Sequence, residues 1–263
     1  MKNKYLVIPN TFLPKSSNTY CLLFPLKDFC VGFLHEFAVQ DIPSDSYIYV
    51  NRLLDTPSIL ALKNILEKYS FKGIVFEDLG ILELIKSLSL SLETIFYPTH
   101  AITSVQTLNT YLEYVDTAVI SLDITKEETQ EMITKTKKPL SYYVFGPLPY
   151  MYSRRTLLTN YEKNFALKEN KQKLLEDEVT HKTFKAIENA YGTVLFDENT
   201  YDGRIFLEEK NVKHFIINFD WEKAEITESF FEDFLKQKNM TKTTDGFLNK
   251  KTIYRLPPKK EGL

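Results

Sequence analysis

Acidic and imidazole side chains that could act in catalysis follow several short apolar runs of the sequence. Glu77 and Asp78 are adjacent carboxylic acids, which could form an acid/base pair or one corner of a metal site. Adjacent acids at such a position are also typical of helix capping. His100 could be a general base because histidine titrates near neutral pH, and a hydrogen-bonded structural role is its alternative. The predicted catalytic residues are His100, Asp123, Glu77 and Asp78.

Other polar residues after the apolar runs could bind a substrate. The predicted substrate-binding residues are Asn51, Arg52, Tyr152, Ser153, Arg154 and Arg155. Arg154 and Arg155 favour an anionic group because guanidinium groups bind carboxylates and phosphates through paired hydrogen bonds. The alternative is that one of them pairs with Glu77 or Asp123 while the other is solvated. Ser153 is a weak candidate nucleophile because no G-x-S-x-G pattern surrounds it.

The elements that position these residues alternate in type. Between Tyr47 and Phe145, β-rich runs alternate with amphipathic stretches that begin at capping signals such as Thr125-Lys126-Glu127-Glu128. Such alternation predicts βαβ units and a parallel sheet. The predicted strands are Tyr20–Phe24, Ile48–Val50, Gly73–Phe76, Thr94–Tyr97, Thr117–Ile120, Leu140–Phe145, Thr193–Phe196 and His214–Phe219.

The fold class predicted from this pattern is α/β, a TIM-barrel-like (β/α)₈ fold with a parallel sheet and outer helices. An incomplete or distorted barrel and an open doubly wound sheet are the alternatives. No Gly/Ser-rich linker interrupts the chain, so residues 1–263 are predicted to form a single barrel-like domain with a frayed tail at 257–263. The polar stretch Glu162–Lys185 is predicted to be helical.

Composition excludes several classes of function. The chain of 263 residues has a net charge of −2, so it lacks the overall basic field typical of DNA-binding proteins. No H-E-x-x-H pattern or histidine pair at metal spacing is present, and no metal site is predicted. The apolar run near the amino terminus is too short for a signal peptide or a membrane span. We therefore expect a cytoplasmic protein that does not bind membranes.

The segment from Val144 to Tyr161 resembles a known family signature. It reads V-F-G-P-L-P-Y-M-Y-S-R-R-T-L-L-T-N-Y and is similar to the form V-H-G-A-L-C-I-A-Y-S-G-R-C-L-L-S-S-Y of the collagenase-like peptidases, family 32 of the unassigned catalytic class. The matching residues are Val144, Gly146, Leu148, Tyr152, Ser153, Arg155, Leu157, Leu158 and Tyr161. Tyr49-Val50-Asn51, Glu77-Asp78-Leu79-Gly80 and Tyr191-Gly192-Thr193 resemble further family motifs in the same order.

The resemblance implies a barrel-like fold and a peptidase activity. Several family members instead use an iron–sulfur cluster to hydroxylate RNA bases or a quinone precursor without oxygen. Here Pro149 and Thr156 replace the two cysteines of the signature, and Phe145 replaces its histidine. The whole chain has two cysteines, Cys21 and Cys30, so one subunit cannot supply the four thiolates of such a cluster. No cofactor is predicted.

Two functions follow from the family resemblance. The first is a cluster-free peptidase, a hydrolase acting on a peptide or protein substrate. The second is a pseudoenzyme that acts as a partner subunit or substrate-binding module of a cluster-bearing paralogue in RNA-base hydroxylation, which would place it in tRNA modification. The missing cysteines favour the second function, and the family resemblance favours the first.

Overall fold

The computed structural model describes residues 4–10, 17–236 and 242–251. Within these ranges twelve strands form one sheet, accompanied by six α-helices. The strands are β1 (Tyr5–Ile8), β2 (Cys21–Pro25), β3 (Tyr47–Val50), β4 (Gly73–Phe76), β5 (Glu93–Phe96), β6 (Thr117–Ala118), β7 (Leu140–Ser153), β8 (Gln172–Glu176), β9 (Thr183–Asn189), β10 (Gly192–Asp202), β11 (Val212–Asn218) and β12 (Thr243–Thr244). The helices are α1 (Thr56–Lys68), α2 (Leu79–Ser87), α3 (Val105–Tyr111), α4 (Lys126–Lys135), α5 (Leu157–Asn164) and α6 (Glu228–Leu235). The tail predicted at 257–263 lies outside the described residues.

Four of the helices, α1 to α4, begin after a residue whose side chain caps the helix. The side chains of Asp55, Asp78 and Ser104 accept hydrogen bonds from backbone N–H groups in the first turns of α1, α2 and α3. Thr125 and Glu128 form the complete capping box of α4. Each cap satisfies a donor that has no partner within its helix, so these residues fix where the strand-to-helix loops end.

Eight of the strands run parallel and curl into a barrel-like ring. Strands β1 to β6 are neighbours in chain order, β11 lies beside β1, and β7 lies beside β11. A parallel bridge between Val119 and Ser141 joins the end of the β6 region to β7. The hydroxyl oxygens of Thr117 and Ser141 are 2.7 Å apart at this junction. The fold is therefore of the α/β class and barrel-like, as predicted.

The sheet is mixed rather than parallel, which corrects the prediction in part. Strand β7 is 14 residues long, and its second half pairs antiparallel with β10, which is followed by antiparallel β9 and β8. Only Ala190 and Tyr191 separate β9 from β10. A two-residue connection can join antiparallel strands but cannot make a parallel crossover. Gly192 closes this turn with a φ of +147°, and a Cβ there would lie 2.2 Å from the Ser153 carbonyl oxygen.

Two element predictions are wrong for related reasons. Thr193–Phe196 lies in the antiparallel β10, and the eighth parallel strand is instead β1, a short apolar run with Leu6, Val7 and Ile8 fully buried. A fully buried parallel strand has no alternation to reveal it. The stretch Glu162–Lys185 is mostly β8, β9 and loops instead of helix. Strand β8 is largely exposed, so its sequence lacks the apolar alternation that marks half-buried strands.

The amino ends of the ring are held by a buried polar network. The Glu93 carboxylate accepts a hydrogen bond from the Tyr47 hydroxyl at 2.6 Å and lies 2.6 Å from His214 Nε2. Burial alone would raise the pKa of Glu93, but the hydrogen bond and charge of His214 lower it to about 2. Because this network lies at the end opposite the carboxyl ends of the strands, we assign it to stability.

Candidate functional site

A cavity of about 80 Å³ lies at the carboxyl ends of the parallel strands. Asn51, Glu77 and His100, from the segments that follow β3, β4 and β5, line it. Its remaining walls are mostly apolar or aromatic and include Val31, Phe33, Tyr49, Tyr97, Tyr143, Pro149, Met151, Tyr152, Val194, Phe196 and Asn218. An apolar cavity of roughly 150 Å³ holds a benzene ring, so this space suits one small side chain beside a reacting group. Ligand sites of α/β folds collect at this end of the sheet.

Glu77 is the carboxyl group that lines the cavity. It follows β4 directly, and Thr99 Oγ1 donates a long hydrogen bond of 3.4 Å to its Oε2. Burial raises the pKa of Glu77 to about 7, although the Thr99 hydrogen bond and the nearby His100 oppose the rise. A carboxyl group that titrates near neutral pH can both accept and donate a proton there. Glu77 is therefore suited to general acid/base chemistry.

His100 and Asp123 form a hydrogen-bonded pair at the rim. His100 Nδ1 lies 2.6 Å from Asp123 Oδ2, and the Ser121 hydroxyl donates to the same carboxylate oxygen at 3.0 Å. The side chains of His100 and Asp123 are 45% and 32% exposed. The hydrogen bond that His100 donates to the Asp123 carboxylate raises the pKa of His100, although burial opposes the shift. Because Asp123 engages Nδ1, Nε2 is the ring nitrogen that a ligand can meet.

Stacked tyrosines make the floor of the cavity apolar. The rings of Tyr49 and Tyr97 are parallel to within 5° with centroids 6.2 Å apart, and Tyr143 packs against Tyr97 at 5.9 Å. Burial raises the pKa of all three phenols above the usual value, so they are neutral near pH 7. Sequence reasoning assigned Tyr49 and Tyr97 no site role. Their positions at strand ends are the only signal that could have identified them.

The loop that carries Val31 covers one side of the cavity and is held in place by polar side chains. Asn51 Oδ1 accepts the N–H of Val31 and Asn51 Nδ2 donates to the Val31 carbonyl, both at 2.9 Å. The buried Asp220 accepts from the backbone N–H groups of Leu34 and His35 and pairs with His35 Nδ1 at 2.8 Å. Asn51 and Asp220 thus position the wall of the site. Asp220 is not among the residues predicted from the sequence.

Two predicted site residues have structural partners instead of facing the cavity. Asp78 Oδ1 accepts the N–H of Gly80 at 2.8 Å and Oδ2 accepts that of Leu54 at 2.7 Å, so its carboxylate caps α2 and anchors a loop. The Arg52 guanidinium is buried, donates to the Asp28 carbonyl, and lies 3.5 Å from the centroid of the Tyr191 ring. The catalytic role of Asp78 and the binding role of Arg52 stay predictions from the sequence, and this geometry favours neither.

Only part of the signature segment, Val144–Tyr161, lines the cavity. Tyr152 lines the cavity, whereas Ser153 accepts the N–H of Arg155 at 3.2 Å. Arg154 and Arg155 are exposed, and neither guanidinium forms an ion pair with a carboxylate of the described chain. The alternative that one of them pairs with Glu77 or Asp123 is therefore not observed. Their exposure allows contact with an anion outside the cavity.

A buried glutamate stabilises the start of α5. Glu188 accepts the backbone N–H groups of Leu158 at 2.7 Å and Thr159 at 3.1 Å, together with the hydroxyls of Thr159 and Thr193. Burial alone would raise the pKa of Glu188, but these hydrogen bonds lower it below the usual range. The carboxylate therefore caps a helix that is distant in sequence, a role that no local pattern reveals.

Neither cysteine lies where the family signature carries its cysteines. Cys30 is fully buried, its thiol donates to the Tyr49 carbonyl at 2.9 Å, and burial raises its pKa well above the usual value. Cys21 is also buried. Pro149 lines the cavity, and Thr156 precedes α5. These residues do not fit an iron–sulfur cluster. Among the residues described, no group of three or more His, Cys, Asp or Glu side chains is arranged to hold a metal ion.

Comparison with known proteins identifies one family. The model of peptidase family U32 matches residues 34–171, just over half of the chain. No curated protein matches the sequence significantly. Among solved structures, a chitinase from Chromobacterium violaceum is similar at 10% sequence identity and a TM-score of 0.34, with 75% of this chain and 80% of that chain covered. Within the described residues, the helices are too short or too polar to cross a membrane.

Proposed function

Because this chain belongs to peptidase family U32, we propose that it hydrolyses peptide bonds at the cavity formed by the loops after β3, β4 and β5. One observation carries the proposal: Glu77, whose pKa is about 7, lines the same small apolar cavity as His100, which is paired with Asp123. Titratable groups with shifted pKa values in a cleft are typical of catalytic sites. We also assign the ring of parallel strands to the (β/α)₈ class, within a single barrel-like domain.

In the proposed reaction Glu77 is the general base. Its carboxylate removes a proton from a water molecule as that water attacks the peptide carbonyl carbon. His100 in its imidazolium form donates a proton from Nε2 to the leaving amine. Asp123 holds Nδ1 and stabilises the imidazolium, so it is a positioning residue. The apolar walls exclude bulk water, which strengthens these electrostatic interactions.

The pH dependence of the proposed reaction tests this assignment of roles. The rate should fall as the pH falls through about 7, because protonated Glu77 cannot accept a proton. It should fall again at alkaline pH as His100 loses its proton, at a pKa above the usual 6.5. Initial rates of cleavage of heat-denatured casein between about pH 5 and 9 measure both limbs. If the rate of the wild-type protein does not fall as the pH falls through about 7, Glu77 is not the general base.

The Asp123→Asn variant tests the positioning role. We expect kcat to fall about tenfold, equivalent to about 1.4 kcal/mol, because the amide no longer stabilises the imidazolium. The alkaline limb should also move to lower pH, since the hydrogen bond that the Asp123 carboxylate accepts raises the pKa of His100. Asp45→Asn, at an exposed loop position, is the matched control. An unchanged alkaline limb in Asp123→Asn would contradict the proposed pairing.

A second candidate function, as a non-catalytic partner of a cluster-bearing paralogue, is supported by a different observation. Pro149 occupies a wall of the cavity at a position where the signature carries a cysteine. In that case pure, folded wild-type protein should cleave no denatured substrate, yet should co-purify with a cysteine-rich relative from its native source. If wild type cleaves the substrate and Glu77→Gln does not, the peptidase function is supported and the non-catalytic function is excluded.

A further inference from the structure

Among the residues that the structure describes, strand β8 forms the edge of the sheet and has a partner strand on one side only. It pairs with β9, and the order of strands ends there. The opposite end of the order, β6, is covered by the bridge from Val119 to Ser141. We propose that two copies of this chain associate through antiparallel pairing of β8 with β8. This inference is independent of the proposed peptidase function.

The hydrogen bonds to β9 show which groups of β8 are directed outward. The Asp177 N–H donates to the Lys182 carbonyl, and the Glu188 N–H donates to the Lys171 carbonyl, both at 2.9 Å. In an antiparallel ladder alternate residues bond to the same neighbour, so the odd-numbered residues of this strand bond to β9. The even-numbered residues Gln172, Leu174 and Glu176 therefore direct N–H and C=O groups away from β9, where the Gln172 N–H donates to Asn170 Oδ1 at 3.1 Å.

The usual protection of an edge strand is weak here. Exposed lysines commonly prevent strands from pairing edge to edge. In β8, however, Lys173 Nζ lies 2.8 Å from the buried Glu162, and the adjacent Lys171 Nζ lies 3.3 Å from the buried Glu188. Lys173 is thus directed toward its own subunit, whereas half of the Lys171 side chain (51%) stays exposed. Leu174 and Leu175 are 63% and 39% exposed on the same strand.

The charge pattern of the strand selects a second copy in antiparallel orientation. Basic residues stand at its start and acidic residues at its end, in the order K-Q-K-L-L-E-D from Lys171 to Asp177. A two-fold axis at Leu174 places Leu174 opposite its own copy, Gln172 opposite Glu176, and Lys171 opposite Asp177. This register also pairs outward residues with outward residues, as the ladder requires. Parallel pairing would instead oppose like charges, which destabilises a sheet.

Exposed aromatic side chains beside β8 extend the apolar area of the proposed interface. Tyr161 and Phe165 on and after α5 have ring centroids 4.7 Å apart and are 53% and 58% exposed. Lys173 Nζ lies 5.4 Å from the Tyr161 ring, so this pair is adjacent to β8. Burial of apolar area is what gives edge pairing net stability in water, since backbone hydrogen bonds alone replace bonds to water.

Sedimentation velocity over a range of concentrations tests the proposal. We expect wild type to shift from monomer to dimer, and Leu174→Pro to weaken the dimer at least about tenfold. Proline removes the outward N–H of Leu174 without breaking a bond to β9, a position that edge strands tolerate. Leu174→Lys, which places like charges on the two-fold axis, should act in the same direction. Leu60→Lys is the matched control, because Leu60 is 56% exposed on α1.

A cross-link locates the interface directly. Residues opposite each other in a hydrogen-bonded antiparallel pair have Cα atoms about 5.5 Å apart, which suits a disulfide. Leu174→Cys should therefore form a covalent dimer on mild oxidation, whereas Leu60→Cys should not. Wild type that is monomeric up to about 0.1 mM overturns the proposal, as does a dimer that Leu174→Pro and Leu174→Lys leave intact. Thermal unfolding of each variant confirms that the monomer still folds.

Discussion

The Glu77→Gln variant is expected to lose cleavage of denatured casein by about 10²- to 10⁴-fold, the range that general acid/base groups contribute. Glutamine has nearly the same shape as glutamate but cannot accept a proton from water. The loss should therefore fall on kcat, with KM little changed, because binding in the small cavity depends on its apolar walls. Glu83→Gln, an exposed position on α2, is the matched control and should retain full activity.

The stability of Glu77→Gln should increase although its activity is lost. Because burial raises the pKa of Glu77 to about 7, ionisation of this group opposes folding as the pH rises above the unfolded value of 4.5. Replacing the acid by a neutral amide removes that cost. At pH 8 we expect the free energy of unfolding of Glu77→Gln, measured by urea denaturation, to exceed that of wild type by about 1–3 kcal/mol. A variant that is both inactive and less stable would indicate a structural role for Glu77 instead.

The Glu188→Gln variant is expected to lose about 2–4 kcal/mol of unfolding free energy. The buried carboxylate accepts hydrogen bonds from two backbone N–H groups at the start of α5 and from the hydroxyls of Thr159 and Thr193. An amide presents an NH₂ group to some of these donors, which leaves buried groups unsatisfied. Urea denaturation at pH 7 measures the loss. Hydrogen exchange of the Leu158 and Thr159 amides should accelerate as α5 becomes less stable.

The acid sensitivity of wild type provides a second measure of the same contribution. The hydrogen bonds lower the pKa of Glu188 below the usual glutamate value of 4.5. The stability that it contributes is therefore present above pH 4.5 and is lost as the pH falls through the lower pKa of the folded state. Glu188→Gln should show a weaker acid dependence than wild type. Glu178→Gln, at an exposed turn position, should stay within about 0.5 kcal/mol of wild type. Equal stabilities of Glu188→Gln and wild type would disprove the tertiary capping role.

Much of the framework could be predicted because short-range chemistry sets it. The capping box at Thr125 and Glu128 depends on residues three positions apart, and the predicted helix follows it. The parallel strands β3, β4 and β5 are buried apolar runs, and the polar residues after them lie at the ends where ligands collect. Membership of the peptidase family was likewise recognisable from the signature segment, and the family comparison confirms it.

The adjacent residues Glu77 and Asp78 show what local sequence patterns cannot predict. Glu77 and Asp78 are both acids after the same strand, and the sequence gives no reason to separate them. In the structure Glu77 lines an apolar cavity, whereas Asp78 bonds to the N–H groups of Gly80 and Leu54. Burial distinguishes their chemistry because the desolvation of a carboxylate depends on every side chain around it, and those side chains come from distant parts of the chain.

Local sequence patterns were enough to predict the alternating elements, the helix starts, the polar strand ends and the shortage of thiolates for a cluster. The folded chain was needed to reveal the antiparallel extension of the sheet, the pairing of His35 with Asp220 and the capping of α5 by Glu188. The two groups of features differ in the range of the interactions that produce them. Caps and apolar periodicity act within a few residues, whereas Asp220 meets His35 across 185 positions and acquires its role only when the ring of strands brings them together.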